Sequence, residues 1–358
     1  MTKGIKYIAY GAASGQGIAA LAYIHALHHA GVPVWPFFQP PLDDGRGPAP
    51  LRLRRAVERD ANFADLSALM HDTRRSIPYD TIVAHRVPED WPGFAESGKR
   101  LVGYSVWDTD TLPDTWGRLL NQADRILVPC RMNAEVFARG GVTRPVRIVP
   151  HVRRNAWTAS ARKDGDALRA RLGIPADHFV FYTIGVWNPR KAHADLIDTF
   201  AREFSAEDRV TLLVKTSSKE STMAAGADSA PGIREQVSRI VRGASRARGR
   251  PSANVVGVAA SGIDGGVVEA IHAVGDAYVS LTHGEGWGLG AFDAAPAGDH
   301  HRLGRPSRLS RSRLSWARAL RDDAGRGLAT GIGLSADAAL GHRRPTTCSA
   351  AHARSRGP

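Results

Sequence analysis

The chain has 358 residues, 43% of them hydrophobic, and carries 48 Lys and Arg against 35 Asp and Glu, a formal net charge of +13. That length and apolar content fit about two globular domains with real cores and exclude a disordered or low-complexity chain. The charge is uneven: Ala297 to Pro358 holds 12 Arg, no Lys, 4 Asp and no Glu, so +8 of the +13 lies there. The remaining body is mildly basic, which suits a phosphate-bearing substrate or an anionic lipid surface. The two cysteines, Cys130 and Cys348, are far apart and lack metal spacing, as expected in a reducing compartment. Met1 to Lys6 leads straight into a strand, with no signal-like or spanning apolar run, so the expected location is cytoplasmic.

In chain order, Ile5 to Tyr10 predicts a strand, Gly11-Ala-Ala-Ser-Gly-Gln-Gly17 a glycine turn, and Ile18 to Ala30 a helix. The next strand starts at Gly31-Val-Pro-Val-Trp35. This is a β-loop-α-β opening, but no acid ends the second strand, so it is not the dinucleotide fingerprint. Pro40 to Pro50 reads as a surface loop and Leu51 to Arg75 as a mostly polar, amphipathic helix. Strands are expected at Thr81–His85 and Leu101–Val106, with Pro88-Glu-Asp-Trp91 and then a loop between them. The run Trp107-Asp-Thr-Asp-Thr-Leu-Pro-Asp-Thr-Trp116 follows. On the residues alone, Asp108 reads as part of an acidic capping turn before a helix over Asp114–Asn121. Asn121 to Pro129 runs from a helix end into a strand, Asn133–Arg139 is helical up to Gly140-Gly141, and Val146–Val149 is a strand closed by Pro150-His151. The polar, basic stretch Arg153–Asp166 reads as a linker. The expected division is 1–155, 156–298 and an irregular Arg-rich tail, 299–358.

The second half opens with a helix at Ala167–Leu172 and a strand at Phe179–Ile184. Gly185-Val-Trp-Asn-Pro-Arg-Lys191 is a loop, and Ala192–Phe204 a helix with Leu196, Ile197, Phe200 and Phe204 on one face. Arg190 and Lys191 therefore stand at a strand-to-helix turn, either as anion-holding cations or as a basic surface turn. Val210–Lys215 is a strand, Thr216–Gly232 a flexible insertion, Ile233–Arg242 a helix, Val255–Val258 a strand and Gly266–Val274 a helix. His272 reads as a satisfied helix residue, and His283 as a residue for binding rather than proton transfer. Ala277–Leu281 reads as a buried parallel strand, Thr282–Gly290 as a glycine-dense turn and Leu289–Ala295 as the start of a helix. Gly284, Gly286, Gly288 and Gly290 let backbone approach a ligand at a strand's carboxyl end. Glu285 and Asp293 place two acids there. No internal repeat and no His/Cys/Asp cluster with metal spacing is visible.

Glu285-Gly-Trp-Gly-Leu289 followed by Asp293 resembles the acid–seven residues–acid signature of the group-1, family-4-like retaining glycosyltransferases of the GT-B fold. Arg190-Lys191 and the Trp107–Trp116 run resemble the same family. So does the ordered series Asp124-x-Ile-x-Val-Pro, Phe137-x-x-Gly-Gly-Val and Val146-x-Ile-Val-Pro-His151; the likeness covers about residues 5–298. The resemblance implies an α/β protein with two Rossmann-like domains facing a cleft. It implies transfer of a sugar from a nucleoside diphosphate sugar to a sugar or glycan acceptor hydroxyl, with retained configuration, no metal and no cofactor. By that likeness Glu285 contacts the donor sugar and Asp108, the second catalytic candidate, faces the cleft. Arg190 and Lys191, with the backbone of Gly286, Trp287, Gly288 and Leu289, hold the diphosphate. Asp293, one methylene shorter than the family's usual Glu, holds the ribose. Gly15 and Gly17 let the donor pyrophosphate or the acceptor approach, and the first domain supplies the acceptor site.

After Gly298 the pattern changes. The family carries further strands and a closing helix here, so the second domain reads as incomplete. Generic codons for His300 to Ser310, shifted by one base, can encode Thr-Thr-Gly-Trp-Gly-Gly-His-Leu-Asp-Tyr-Leu, which resembles the family's continuation. The expectation is a slip of frame near Ala297; a basic arm for nucleic acid or anionic membrane, or a divergent ending, are the other readings. The alternative functions are an inactive nucleotide-sugar-binding remnant and a basic nucleic-acid binder. No specific nucleic acid partner is expected, and peripheral membrane contact stays open.

Overall fold

The structure, a computed structural model, describes residues 3–10, 15–39, 63–66, 69, 77–152, 159–216, 232–259 and 265–294. The expected loop at 40–50, nearly all of the helix expected over 51–75, the insertion at 217–231 and the tail lie outside those residues. The described chain builds two parallel sheets. The first comprises β1 (Gly4–Tyr10), β2 (Val34–Gln39), β3 (Tyr79–His85), β4 (Arg100–Tyr104), β5 (Arg125–Val128) and β6 (Val146–Ile148), in the order β2-β1-β3-β4-β5-β6. The second comprises β7 (Phe179–Ile184), β8 (Val210–Thr216), β9 (Asn254–Ala259) and β10 (Ala277–Tyr278), in the order β10-β7-β8-β9. Between the strands run α1 (Gly15–His29), α2 (Trp116–Leu120), α3 (Arg131–Arg139), α4 (Ala159–Arg171), α5 (His193–Glu203), α6 (Ile233–Arg248) and α7 (Gly265–Val274).

The strands read as apolar runs because helices cover both faces of each sheet. Successive side chains alternate faces. In β1, Tyr7 and Ala9 pack with Leu21 and Ile24 of α1, while Ile8 points the other way into a core with Trp91, Ile126 and Phe137. In β7, Phe181 meets Phe200 and Phe204, and Val180 and Tyr182 join Leu168 and Ile271 on the opposite face. An aspartate staples neighbouring strands in each sheet. Asp124 accepts from Leu101 N at 2.8 Å, and Asp276 accepts from Val180 N at 2.8 Å.

Four local expectations change. The expected linker contains α4, which starts at Ala159. Its polar surface and its mid-helix Gly165 suggested irregular chain. Gly165 is there because a Cβ would lie 2.8 Å from the Cβ of Ala273 on α7. Second, the strand expected over Ala277–Leu281 pairs over two residues only, at the edge of its sheet. Third, Pro88-Glu-Asp-Trp91 and the start of the loop expected after it form a 3-10 helix, Pro88–Phe94. Fourth, Gly15 and Gly17 belong to the first turn of α1, not to a free glycine loop. The loop residues before them, 11–14, lie outside the described residues.

In the second sheet, β7 is flanked by β8 on one side and β10 on the other. The loops that follow β7 and β10 lie side by side at the carboxyl ends of these strands, where ligands bind in such sheets. The core that supports the first sheet is equally unforgiving. A Cβ on Gly103 of β4 would lie 2.1 Å from the Trp91 ring. Gly103→Ala should therefore lower unfolding free energy by roughly 1–3 kcal/mol or more, as measured by urea unfolding.

Candidate active site

Two loops meet at the crevice beside β7. The first follows β7: Asn188 accepts at Oδ1 from Lys191 N at 3.0 Å and caps a one-turn 3-10 helix, Pro189–Lys191. Ala192 then takes φ +50°, the one left-handed non-glycine among the described residues. That conformation is costly for a residue with a side chain. It turns the chain sharply into α5 and leaves Arg190 and Lys191 at the strand tip. The second loop follows β10. Thr282 Oγ1 faces Arg190 O at 3.1 Å and Gly284 O at 3.0 Å, and His283 N donates to Arg190 O at 2.8 Å. The carbonyl of Arg190 thus ties the loops together.

The side chains converge. Lys191 Nζ bonds Glu285 Oε1. Arg190 Nη1 donates to Gly284 O at 2.5 Å and lies 3.8 Å from Glu285 Oε2. From the first sheet, Asp108 reaches across. Its Oδ2 is 3.1 Å from Arg190 Nη2, and its Oδ1 accepts from Gly286 N at 2.9 Å. Cys130 Sγ approaches Gly286 O at 3.2 Å. Of the two roles open for Asp108, the structure places it in the cleft; Thr115 occupies the position before α2. Two cations and two carboxylates form one half-buried cluster, formally neutral.

The glycines are needed for contact between the halves. A Cβ on Gly284 would lie 2.5 Å from Asp108 O, and one on Gly286 would lie 2.2 Å from Val106 Cγ1 and 2.7 Å from Trp107 O. Gly288 takes φ +81°. Gly15 faces the cleft: its Cβ would touch Leu289 Cδ1 at 3.3 Å. Gly17 is buried within α1. Trp287 meets the His151 ring edge-on, with centroids 5.3 Å apart. Asp293 sits in the helical stretch 289–294, half-buried; Tyr182 is pushed up by burial first, then by Tyr278 and Asp293, and Asp293 also adds to the rise at Tyr278. Burial and then Glu285 are the larger causes at Tyr278, which is pushed up to about 12.

Sequence reasoning missed Cys130, Asn133, His85 and His193. All but His193 lie at or just beyond a strand's carboxyl end, and that position was the available signal. His85 ends β3 and bonds Tyr7 Oη at 3.0 Å. His193 stands over Gly185, whose Cβ would lie 3.1 Å from its Nε2. His272, buried in α7, bonds Tyr182 Oη through Nδ1 at 2.9 Å. His283 is exposed, 3.8 Å from Asp195. Among the described residues one set of side chains does have ligand-like spacing: His25, His29 and Asp65, on the far half of α1 from the cleft. The separation of 36 positions between His29 and Asp65 hid it. Among the described residues no helix is long and apolar enough to cross a membrane.

No protein-family model and no curated protein matches the sequence. Solved structures do. The chain is similar to Anabaena Alr3699/HepE in complex with UDP and glucose, at 16% identity over 83% of this chain and 79% of that one, TM-score 0.50. It is similar to the E. coli trehalose-6-phosphate structure bound with UDP-2-fluoro glucose, at 12% identity over 84% and 82%, TM-score 0.52. It is also similar to OtsA, a trehalose-6-phosphate synthase, at 12% identity over 85% and 83%, TM-score 0.53.

Burial holds three imidazoles neutral. It pushes His85 down to about 3, with neighbouring His151 adding to the effect, and it pushes His151 and His193 down to about 4. Unfolded imidazoles protonate near pH ~6.5. The unfolded chain therefore binds more protons between about pH 6.5 and 4, and stability falls as pH falls through that window. The melting temperature should drop from pH 7 to pH 4.5, and His193→Gln should make that slope shallower; an unchanged slope contradicts the assignment. The parallel sheets and the crevice between them give this chain the GT-B fold, two Rossmann-like α/β domains facing a cleft.

Proposed function

We propose that this chain is a retaining glycosyltransferase, moving a sugar from a nucleoside diphosphate sugar to a sugar or glycan acceptor hydroxyl. The observation that carries the reading is the convergence of Arg190, Lys191, Glu285 and Asp108 at one strand-tip crevice. As the glycosidic bond breaks, the departing nucleoside diphosphate gains negative charge. Cations fixed in place stabilise that charge without reorganising. Lys191 and Arg190 take this role, with backbone N–H groups of Gly286, Trp287, Gly288 and Leu289. Glu285, held by Lys191 in the ligand-free chain, faces the donor sugar, and the diphosphate takes over Lys191 when it enters. Asp293 takes the ribose hydroxyls. Asp108, His85 and His151 present the first domain's polar groups to the acceptor side. Domain limits of 1–155 and 156–298 fit this division, and the mildly basic body fits a phosphate-bearing donor.

The finer assignment is to the group-1, family-4-like branch, on the strength of Glu285 to Asp293 and the Trp107 to Trp116 run. With it goes the slip of frame near Ala297, which would explain why β10 is an edge strand. A continuous frame in the DNA, with the same tail found by mass spectrometry of purified protein, removes the slip. The tail also keeps a second reading in play: a remnant that binds nucleotide sugars without turnover.

Incubation with a panel of nucleoside diphosphate sugars, followed by release of the diphosphate, tests the proposal. Turnover should fall roughly 100-fold or more in Lys191→Ala and be lost in Glu285→Ala while diphosphate binding survives. Turnover that is indifferent to Glu285→Ala contradicts the proposed site. Diphosphate binding with no turnover selects the remnant.

A further inference from the structure

Gly286 directly follows Glu285, and both its backbone groups are held from the first sheet. Asp108 Oδ1 accepts its N–H at 2.9 Å, and Cys130 Sγ lies 3.2 Å from its carbonyl oxygen. Both holding residues lead back to the start of α3. Cys130 occupies the position before that helix, and Asn133 is in its first turn. Asn133 is fully buried, at 0% exposure. Its Oδ1 accepts from Trp107 N at 2.9 Å, and its Nδ2 donates to Trp107 O at 2.9 Å. Asn is a weak helix former, and a buried amide is costly unless its polar atoms are paired. Here the pairing goes to a different segment of chain, and fixes the peptide groups on both sides of the Trp107 Cα. The Trp107 indole is anchored too, donating from Nε1 to Thr111 O at 2.6 Å and packing on Trp116 with ring centroids 4.6 Å apart. Asp108 is the next residue, so the direction of its carboxylate is set by a backbone that Asn133 clamps.

We propose that Asn133 is a positioning residue for the donor loop: by clamping Trp107 it aims Asp108 at Gly286 and Arg190, and so sets where Glu285 stands relative to the first sheet. The consequence for catalysis rests on the donor-site reading above. The coupling itself is a property of the ligand-free chain. A small rotation at Trp107 would carry the Asp108 carboxylate out of reach of Gly286 N, and displacements near 1 Å at such sites cost about 100-fold in rate.

The test is a double-mutant cycle read by amide hydrogen exchange across residues 284–288 in the full chain. Asp108→Ala should speed exchange roughly ten-fold or more, as expected for loss of a charge-assisted hydrogen bond. Asn133→Ser, which keeps a small polar group and is the safer variant for folding, should speed the same amides several-fold. The pair together should exchange no faster than Asp108→Ala alone, because the action runs through Asp108. If Asn133→Ser leaves 284–288 protected, or adds fully to Asp108→Ala, the residue is merely structural and the proposal falls. UDP and ADP binding is measured on the same four proteins. Absence of binding in the unaltered chain overturns the donor-site reading, while the exchange cycle still decides the coupling.

Discussion

The rest of the site depends on one approach of backbone to backbone. Gly284 and Gly286, from the loop after β10, come so close to Val106, Trp107 and Asp108 that no side chain fits between them. At that distance Gly286 N–H can be bonded by the Asp108 carboxylate, and Arg190 can pair with the same carboxylate. The cleft therefore has a defined width where its chemistry lies. A residue with a Cβ at either glycine would force the two loops apart and break the bond from Gly286 N to Asp108.

The topology explains why the charged residues are together. β7 has β8 on one side and β10 on the other, so the loops after β7 and β10 are neighbours although nearly a hundred residues separate them. The Arg190 carbonyl ties those loops through Thr282 and His283. Strain at Ala192 and the Asn188 cap hold the cations at the strand tip. The cluster is balanced without ligand, since each cation already faces a carboxylate. Under the proposed function, an incoming diphosphate would exchange one anionic partner for another, with the cations positioned before it arrives. That is the arrangement electrostatic catalysis requires.

Much of this was legible in the sequence, for reasons that can be named. Strands buried on both faces must be apolar throughout, so Phe179–Ile184 and Val210–Thr216 announced themselves. Arg190, Lys191 and Glu285 stood out because they lie in strand-to-helix turns and match motifs of the family the chain resembles. What was not legible was every link that closes over long separations. Asp108 and Gly286 are 178 residues apart, and Cys130 and Gly286 are 156 apart. Spacing says nothing about such pairs. Asn133 looked like an ordinary first-turn residue until its partner Trp107 was known. The helix Ala159–Arg171 was hidden by its own composition: among 163–170 only Gly165 and Leu168 are buried, too few to show periodicity, and the glycine suggested a break. The first-turn position of Gly15 and Gly17 was missed because glycine predicts a loop by default, whereas here Gly15 opens α1 close to Leu289.

The central claim is that this crevice is built to hold a pyrophosphate between fixed cations beside a carboxylate. Calorimetric titration with UDP, ADP and GDP, each beside its monophosphate, tests it most directly. The account predicts that at least one diphosphate binds roughly ten-fold or more tightly than its monophosphate, with affinity that weakens in Lys191→Ala. Equal binding of mono- and diphosphates, or diphosphate binding that Lys191→Ala leaves untouched, would contradict it.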